Sequence, residues 1–330
     1  MSNDTTNIIN NLRKYRIPGE ILTEEEWQKV IQTTIGGSDI AELLGVGYSN
    51  ALTVYNRLAR ISKPRQFRMD YSNPMWWGTR LESSIIEGVI QKHNLKPLLP
   101  TDVPRFCYRQ GQFRATPDSI AIQDHFYPVI IEAKLTTKPI EQVYERYRVQ
   151  VNWYLGLFGD CVKRAYLGVL RSWLDFSSYV IEFDKDLFAR QLEAANELLE
   201  GVRVGKPPIT KQILERGSDQ INELYGATDK SVLTLQDDDP LLHTIEELRY
   251  TISAIKELEQ IKTALENRVK TVLQDANELR TSSGEVLIRW DEAKRTSIDT
   301  KQLEEFFPEI YHMLKKETKY RKFHVILDKR

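Results

Sequence analysis

The spacing of apolar residues in the first part of the chain predicts alternating helices and strands. Residues 75–90 carry apolar side chains at helical spacing. The apolar runs 113–118 and 129–134 predict a strand, a turn and a second strand. Residues 140–158 predict a helix with one apolar face, and 164–170 predict another short strand. The expected order is therefore helix, strand, strand, helix, strand, which indicates an α/β fold.

The pattern changes after about residue 200. A predicted helix over 184–200 ends at Gly201, and residues 206–240, with their glycine, proline and aspartate content, predict a linker. Residues 241–279 then show one long helical pattern of apolar residues, with one skipped step near Leu258. Two interpretations fit this pattern equally well: a helical hairpin packed on the core, or an intermolecular coiled coil.

The rest of the chain predicts a small mixed tail. Residues 285–290 and 322–327 alternate as strands, and 299–306 predicts a short helix that stops before Pro308. Basic residues precede the final strand. The predicted domains are therefore a core over 1–205, the linker over 206–240 and a C-terminal appendage over 241–330.

Two carboxylates and a lysine give the strand–turn–strand unit its candidate chemistry. Glu132 and Lys134 are two residues apart and therefore lie on one face of a strand. A lysine beside a carboxylate in an apolar strand is costly unless a metal ion and a polyanion complete the site. Asp118 and Glu132 can hold a hard divalent cation, and Lys134 can orient water or stabilise developing charge. The competing interpretation is a surface hairpin with a Glu–Lys pair.

Glu82 lies beside the apolar stripe of the helix predicted after residue 75. Its carboxylate is expected to point inward, on a face shared with Ile86 and Ile90. It is therefore a candidate for a further metal ligand or hydrogen-bond acceptor. The alternative is a glutamate that the helix dipole favours in a first turn.

A second candidate site lies at Gly36-Gly37-Ser38-Asp39, immediately before an apolar helical run. Ser38 or Asp39 is the predicted N-cap, and the free N–H groups of such a helix end suit a phosphate. The segment 51–69 follows, with five basic residues and no acidic ones. It predicts a surface that tracks phosphates, with a solvated helix face as the alternative.

Composition narrows the classes of protein without choosing one. The chain has 330 residues, 41% of them hydrophobic, and a net charge of −1, so no global positive field indicates a polyanion partner. Two cysteines are too few for a disulfide framework or a zinc site. No apolar stretch approaches the roughly 20 residues of a membrane span, and the N-terminus resembles no signal peptide. A cytoplasmic protein without membrane association is expected.

Five motifs occur in a fixed order along the first half of the chain: 35–41 (IGGSDIA), 77–82 (WGTRLE), 115–118 (ATPD), 131–134 (IEAK) and 149–154 (VQVNWY). Together they resemble the YqaJ-like viral recombinase family, which is grouped with lambda exonuclease in the PD-(D/E)xK nuclease superfamily. The resemblance implies an α/β, restriction-endonuclease-like core, in which helices flank a central mixed sheet. The long helix and small sheet would form a C-terminal appendage to this core.

The resemblance also implies roles for single residues. Glu82, Asp118 and Glu132 would surround the metal ion, Lys134 would serve the attacking water, and Gln150 would support the site from its helix. Ser38 would contact a terminal phosphate. Candidates for DNA or phosphate contact are Ser38, Gly37, Lys29, Arg57, Arg60, Arg80 and Tyr154.

One departure from the family pattern concerns the terminal phosphate. Family members usually carry an arginine about two helical turns before the motif serine, whereas in residues 27–35 only Lys29 is basic. Lysine binds phosphate as a point charge and lacks the two-pronged geometry of arginine. Only modest discrimination between 5′-phosphate and 5′-hydroxyl ends is therefore expected.

The predicted function is that of a Mg²⁺-dependent DNA exonuclease, with Mn²⁺ as an alternative ion. It would resect double-stranded DNA ends in the 5′ to 3′ direction for phage-type recombination. The resemblance further implies a ring-shaped trimer, a single-strand annealing protein as partner, and a phage or prophage origin in a bacterial cytoplasm. Alternatives are an endonuclease with the same core and a non-catalytic DNA-binding or assembly protein.

Overall fold

The chain divides into two compact units, Met1–Gly226 and Ala227–Arg330. The computed structural model describes residues 3–62, 70–99, 106–124, 126–171, 175–226, 231–316 and 321–327. Lys63, Arg65 and Arg68 of the predicted basic stretch lie outside these ranges. Residues 211–216 and 218–224, inside the predicted linker, are helical and belong to the first unit.

The first unit contains helices and strands in alternation. Its strands are β1 (Glu20–Ile21), β2 (Lys96–Pro97), β3 (Phe106–Gln110), β4 (Phe113–Ala115), β5 (Ser119–Gln123), β6 (Tyr127–Thr136), β7 (Arg164–Arg171) and β8 (Asp175–Glu182). Its helices are α1 (Asn3–Lys14), α2 (Glu24–Thr33), α3 (Gly37–Leu43), α4 (Ala51–Leu58), α5 (Pro74–His93), α6 (Ile140–Phe158), α7 (Lys185–Val204), α8 (Lys211–Arg216) and α9 (Ser218–Leu224).

A five-stranded mixed sheet forms the centre of this unit, in the order β2-β5-β6-β7-β8. β6 and β7 are parallel, and α6 provides the crossover between them, while the other neighbours are antiparallel. A smaller sheet has the strand order β1-β3-β4, and its last strand, β4, is followed after three residues by β5. The central mixed sheet with flanking helices that the sequence predicts is therefore present.

Alternation along β6 divides its side chains between two apolar layers. Ile131 and Ala133 pack with Ile85 and Ile86 of α5 on one face of the sheet. Ile130, on the opposite face, belongs to the larger core that α6 and α7 cover. The even-numbered residues of β6 therefore face α6, and this alternation decides where its polar side chains emerge.

Several predicted elements are confirmed, including α5, α6 and β7. The predicted hairpin is wrong in one strand: β6 pairs with β5 (Ser119–Gln123), and residues 113–115 belong to the smaller sheet. Asp118 therefore stands before the hairpin strand instead of ending it. The helix predicted to stop at Gly201 continues to Val204, because the left-handed residue that ends it is Gly205.

The second unit contains α10 (Pro240–Leu273), the two-stranded sheet β9 (Glu278–Arg280) and β10 (Val286–Arg289), α11 (Thr300–Phe306) and α12 (Pro308–Leu314). The long helix is confirmed but ends at Leu273, six residues before the predicted end. The predicted strand over 322–327 is absent from the described residues 321–327. Alternation supplies a strand face, but a strand also needs a hydrogen-bonding neighbour.

None of the helices in the described ranges is both long enough and apolar enough to cross a bilayer.

Candidate active site

Glu132 lies at the centre of the sheet and is 1% exposed. Its Oε1 accepts hydrogen bonds from Lys134 Nζ and from Gln150 Nε2, the latter at 2.6 Å. Glu132 and Lys134 therefore share a face of β6, as the alternation predicts. The second carboxylate oxygen, Oε2, is buried and has no hydrogen-bond partner among the residues that the structure describes.

Asp118 approaches Glu132 from the position immediately before the neighbouring strand, β5. Its Oδ2 accepts a hydrogen bond of 2.8 Å from the backbone N–H of Ala133, the residue after Glu132. The register of β5 against β6, with Ser119 opposite Ile131, holds this position. The two carboxylates that the sequence selects are thus brought together by a local antiparallel pair.

Gln150 connects this pair to the glycine motif. Its Nε2 donates both to Glu132 and to the hydroxyl of Tyr154, at 2.9 Å. α6 also closes against Gly37, where an added Cβ would stand 2.7 Å from the backbone oxygen of Gln150 and 2.7 Å from the Tyr154 ring. Only glycine fits that approach, so the structure brings the motif containing Ser38 against the Gln150 side of the site.

Glu82 reaches the region from a different direction. It is half-buried on α5, which packs on the face of β6 opposite to α6. Its charge contributes to raising the pKa of Glu132. However, within the described ranges no three acidic, histidine or cysteine side chains form a ready-made metal cluster. The three predicted ligands are therefore near one another without converging on a single point.

Burial dominates the electrostatics of Glu132. Desolvation and the charge of Asp118 raise its pKa to about 8, although Lys134 opposes the shift. Burial lowers the pKa of Lys134, but the charges of Glu132 and Asp118 outweigh burial, so its pKa is raised. Lys134 therefore keeps its proton, whereas Glu132 takes one up readily at neutral pH.

This shift predicts how the stability of the metal-free protein depends on pH. Unfolded Glu132 loses its proton near pH 4.5, but folded Glu132 holds it to about pH 8. The folded state binds more protons between these values, so the free energy of unfolding falls as pH rises, by at most about 1.4 kcal/mol per pH unit.

Urea unfolding of wild type and Glu132→Gln in EDTA, at several pH values from 5 to 9, measures this effect. Glutamine does not titrate, so the variant is expected to gain stability relative to wild type as pH rises. Subtracting the two free energies of unfolding at each pH removes the contribution of groups that titrate alike in both proteins. A difference that stays constant across this range contradicts the raised pKa.

The donor set fits a hard divalent ion. Asp118 and Glu132 supply carboxylate oxygens, the preferred ligands of Mg²⁺, and Mg²⁺ usually keeps several waters rather than an all-protein cage. Oε2 of Glu132, which no described residue contacts through a hydrogen bond, is a buried acceptor that a cation would satisfy. Two carboxylates suffice for such a site, so the lack of a third converged ligand is compatible with it.

The glycine motif is held by an arginine clamp that sequence reasoning missed. Asp39 contacts two guanidinium groups, Arg57 at 2.8 Å and Arg114 at 3.2 Å, and accepts the backbone N–H of Gly36 at 2.8 Å. The helix cap is therefore Gly36, not Ser38 or Asp39 as predicted, because Asp39 reaches back from the third helical position. Arg114 and Asp39 are too far apart in sequence to be paired by any local pattern.

Two predicted DNA contacts lie away from the surface. Arg57 is half-buried, and its guanidinium also donates to the carbonyl groups of Ile31 and Thr34. Tyr154 is 2% exposed, and its hydroxyl accepts from Gln150. Neither side chain is open enough to contact a DNA duplex. Each can contribute only by holding other residues of the site in place.

Four of the other predicted DNA contacts are accessible, whereas Gly37 is buried against α6. Ser38 is exposed at the start of α3, and Arg60 is exposed after α4. Arg80 is also exposed and lies over the Trp76 ring, 5.0 Å from its centroid. Lys29 is exposed and forms a 2.6 Å ion pair with Glu25.

A cationic patch of Tyr48, Lys138 and Arg146 lies beside the site and was not predicted. Tyr48 is 70% exposed, with the Arg146 guanidinium stacked on its ring and Lys138 Nζ 5.6 Å from its centroid. Tyr147 links the patch to the site, since Arg146 and Lys134 both lie within 6 Å of its ring. The sequence signal was weak: two basic residues eight apart, and a tyrosine ninety residues earlier.

Comparisons with known proteins agree with the motifs. No protein-family model matches the chain. The uncharacterized protein YqaJ of Bacillus subtilis (strain 168) is 28% identical over 195 residues, covering 56% of this chain and 56% of YqaJ. The predicted resemblance to the YqaJ-like family is thereby confirmed, and the chain spans a little over half the length of this relative.

Two solved structures overlay loosely. An alkaline exonuclease from Laribacter hongkongensis has a TM-score of 0.44 and 17% identity, covering 60% of this chain and all of that one. A phage-related exonuclease from Haemophilus somnus 129PT has a TM-score of 0.37 and 14% identity, covering 51% of this chain and 93% of that one.

Proposed function

We propose that the first unit is a metal-dependent DNA exonuclease that hydrolyses phosphodiesters at double-stranded ends. The observation that supports this most directly is the state of Glu132. It is a buried carboxylate with one oxygen tied to Lys134 and Gln150 and the other left without a described partner, beside a second carboxylate, Asp118. A purely structural Glu–Lys pair would have no need of Asp118, whose charge destabilises ionised Glu132.

Each side chain has a distinct task in this proposal. Asp118 and Glu132 would hold Mg²⁺, or Mn²⁺ in its place, and Glu82 adds negative charge from α5. A bound ion would supply polarisation of a phosphate oxygen and a lowered pKa for water. Lys134 keeps its proton and places a positive charge where negative charge develops during hydrolysis. Gln150, held by Tyr154, fixes the rotamer of Glu132.

The finer assignments follow the family resemblance. They are a restriction-endonuclease-like core over 1–205, 5′ to 3′ resection during phage-type recombination, a ring-shaped trimer, a single-strand annealing partner and a cytoplasmic site of action. Ser38 and Gly37 would lie beside a terminal phosphate, and Lys29, Arg60 and Arg80 beside the DNA backbone. Arg57 and Tyr154 would act from inside, by holding Asp39 and Gln150.

A single assay tests the activity and its alternatives. Purified protein is incubated with linear duplex and with closed-circular DNA, each with Mg²⁺ and with EDTA. Degradation of linear DNA alone, only with Mg²⁺, is the expected result. Cutting of the circle would identify an endonuclease instead. A mobility shift without any cleavage would identify a binding protein and overturn the proposal.

The Tyr48 patch predicts a residue that binds DNA without taking part in the reaction. Arg146→Ala removes the cation that stacks on the exposed Tyr48 ring. The variant is expected to bind DNA about tenfold more weakly, and its binding should depend on salt by about one phosphate contact less. Binding is measured by fluorescence anisotropy in EDTA, so that cleavage does not interfere.

Arg148→Ala is the matched control on the same helix. The guanidinium of Arg148 is occupied by Glu145 at 2.8 Å and Asp184 at 3.2 Å, so its loss should leave the salt dependence of binding unchanged. If both variants bind DNA like the wild type, the patch lies outside the DNA path.

A further inference from the structure

The long helix of the second unit, α10, carries an apolar stripe that is largely open to solvent. The stripe consists of Ile245, Leu248, Ile252, Ile255, Leu258, Ile261, Leu265, Val269 and Val272. Its middle and its C-terminal end are the most open parts, with Leu258 64%, Leu265 58% and Val272 70% exposed. An apolar row of this length on a soluble chain marks an association surface.

Near its C-terminal end the stripe borders a groove. Val269 and Leu273 lie there with Ile288 and Trp290 of the small sheet, and the groove encloses about 540 Å³. Leu258, Ile261 and Leu265 also line this groove, so the stripe from Leu258 to Leu273 and the small sheet form one continuous apolar surface.

The spacing of the stripe is nearly the same in both directions. Counted from Leu258, apolar residues stand 3, 6, 10 and 13 positions toward the N-terminus, and 3, 7, 11 and 14 positions toward the C-terminus. A second copy of the helix running in the opposite direction would therefore set each apolar residue against another. Leu258 would face its own counterpart at the two-fold axis.

Charges beside the stripe favour the same arrangement. In this antiparallel register, Arg249 of one copy flanks Glu266 of the other, and the two-fold symmetry repeats this pair. A parallel pair would instead set the acidic run 237–239 beside itself. Glu266 now pairs with Lys262 of its own helix at 3.4 Å, in an exposed contact that exchanges at little cost.

We propose that α10 binds α10 of a second copy of this chain in antiparallel orientation, centred on Leu258. The helix has 34 residues and is about 51 Å long, so the contact can run along most of its length. The partner helix would also cover the groove at Val269 and Leu273. This contact links two copies through their second units and does not depend on the nuclease assignment.

Disulfide trapping distinguishes the two orientations. In the antiparallel pair, position 252 of one copy faces 265 of the other, while two copies of position 252 lie about 20 Å apart, far beyond the reach of a disulfide. Ile252→Cys and Leu265→Cys are prepared separately in a Cys161→Ser background; Cys107 is fully buried and is retained.

The expected result is a cross-linked dimer when the two variants are mixed and oxidised, and none from either variant alone. Cross-linking of Ile252→Cys with itself would show parallel helices and overturn the proposal. Absence of any cross-link would overturn it as well. Since the readout is a covalent dimer, it gives the same answer whether or not the protein cleaves DNA.

Light scattering on the full chain provides an independent measure. Leu258→Glu sets two carboxylates face to face at the axis and is expected to weaken self-association about a hundredfold. Gln260→Glu adds the same charge on the opposite side of the helix and should leave the mass unchanged. Far-ultraviolet circular dichroism confirms that both variants remain helical. Equal masses for both variants would contradict the contact.

Discussion

Replacing Glu132 by glutamine is expected to leave the first unit folded and to lower metal-dependent DNA cleavage by about a thousandfold or more. Glutamine keeps the size of the side chain and an oxygen for Lys134 and Gln150, so the packing around β6 survives. It removes the negative charge that a divalent ion requires. Since wild-type Glu132 is readily protonated when no metal is bound, the neutral variant resembles the metal-free protein.

The measurement is the initial rate of degradation of linear duplex over a range of Mg²⁺ concentrations. Glu132→Gln should also raise the metal concentration needed for half-maximal rate, whereas Lys134→Met should lower the maximal rate and leave that concentration almost unchanged. Glu141→Gln, at an exposed position in the first turn of α6, is the matched control. Cleavage near the wild-type rate by Glu132→Gln would refute the proposed site.

Loss of the Asp39 carboxylate is expected to destabilise the first unit by about 3–5 kcal/mol. The side chain of Arg114 is 7% exposed and that of Arg57 18% exposed, so Asp39→Ala would leave two guanidinium groups with little access to water and without a counter-charge. The backbone N–H of Gly36 would lose its acceptor as well. Urea unfolding followed by circular dichroism and tryptophan fluorescence measures the loss.

Asp184→Asn is the control for this prediction. Asp184 also forms an aspartate–arginine pair, with Arg148, but its side chain is 41% exposed and asparagine caps α7 as well as aspartate does. Its cost should stay below about 1 kcal/mol. If Asp39→Ala costs no more than Asp184→Asn, the arginine clamp contributes little to stability.

The features that the sequence predicted correctly are those specified by residues close together in the chain. The helix over 140–158 was predicted to the residue, because a long one-sided apolar stripe specifies a helix by itself. The shared facing of Glu132 and Lys134 followed from the two-residue period of a strand. β5 was missed because Asp118 was interpreted as the end of one strand, although it stands before the next.

The sequence could not predict features that depend on contacts between residues far apart in the chain. Arg114 contacts Asp39 from 75 residues away, and nothing near either residue indicates the pair. Tyr154 lies within a motif associated with the site, yet the motif does not tell a surface tyrosine from one buried under Gln150. The strand predicted at 322–327 shows the same limit, since alternation cannot supply a neighbouring strand.

The two halves of the site differ in the length of chain that must close to form them. The bond from Asp118 to Ala133 joins residues 15 apart, inside one β-hairpin. The bond from Arg114 to Thr34, which secures the glycine motif, joins residues 80 apart. Short loops close faster and lose less entropy than long ones. During refolding, the carboxylate pair would thus form before the surface around Ser38, because its two residues belong to consecutive segments of one hairpin.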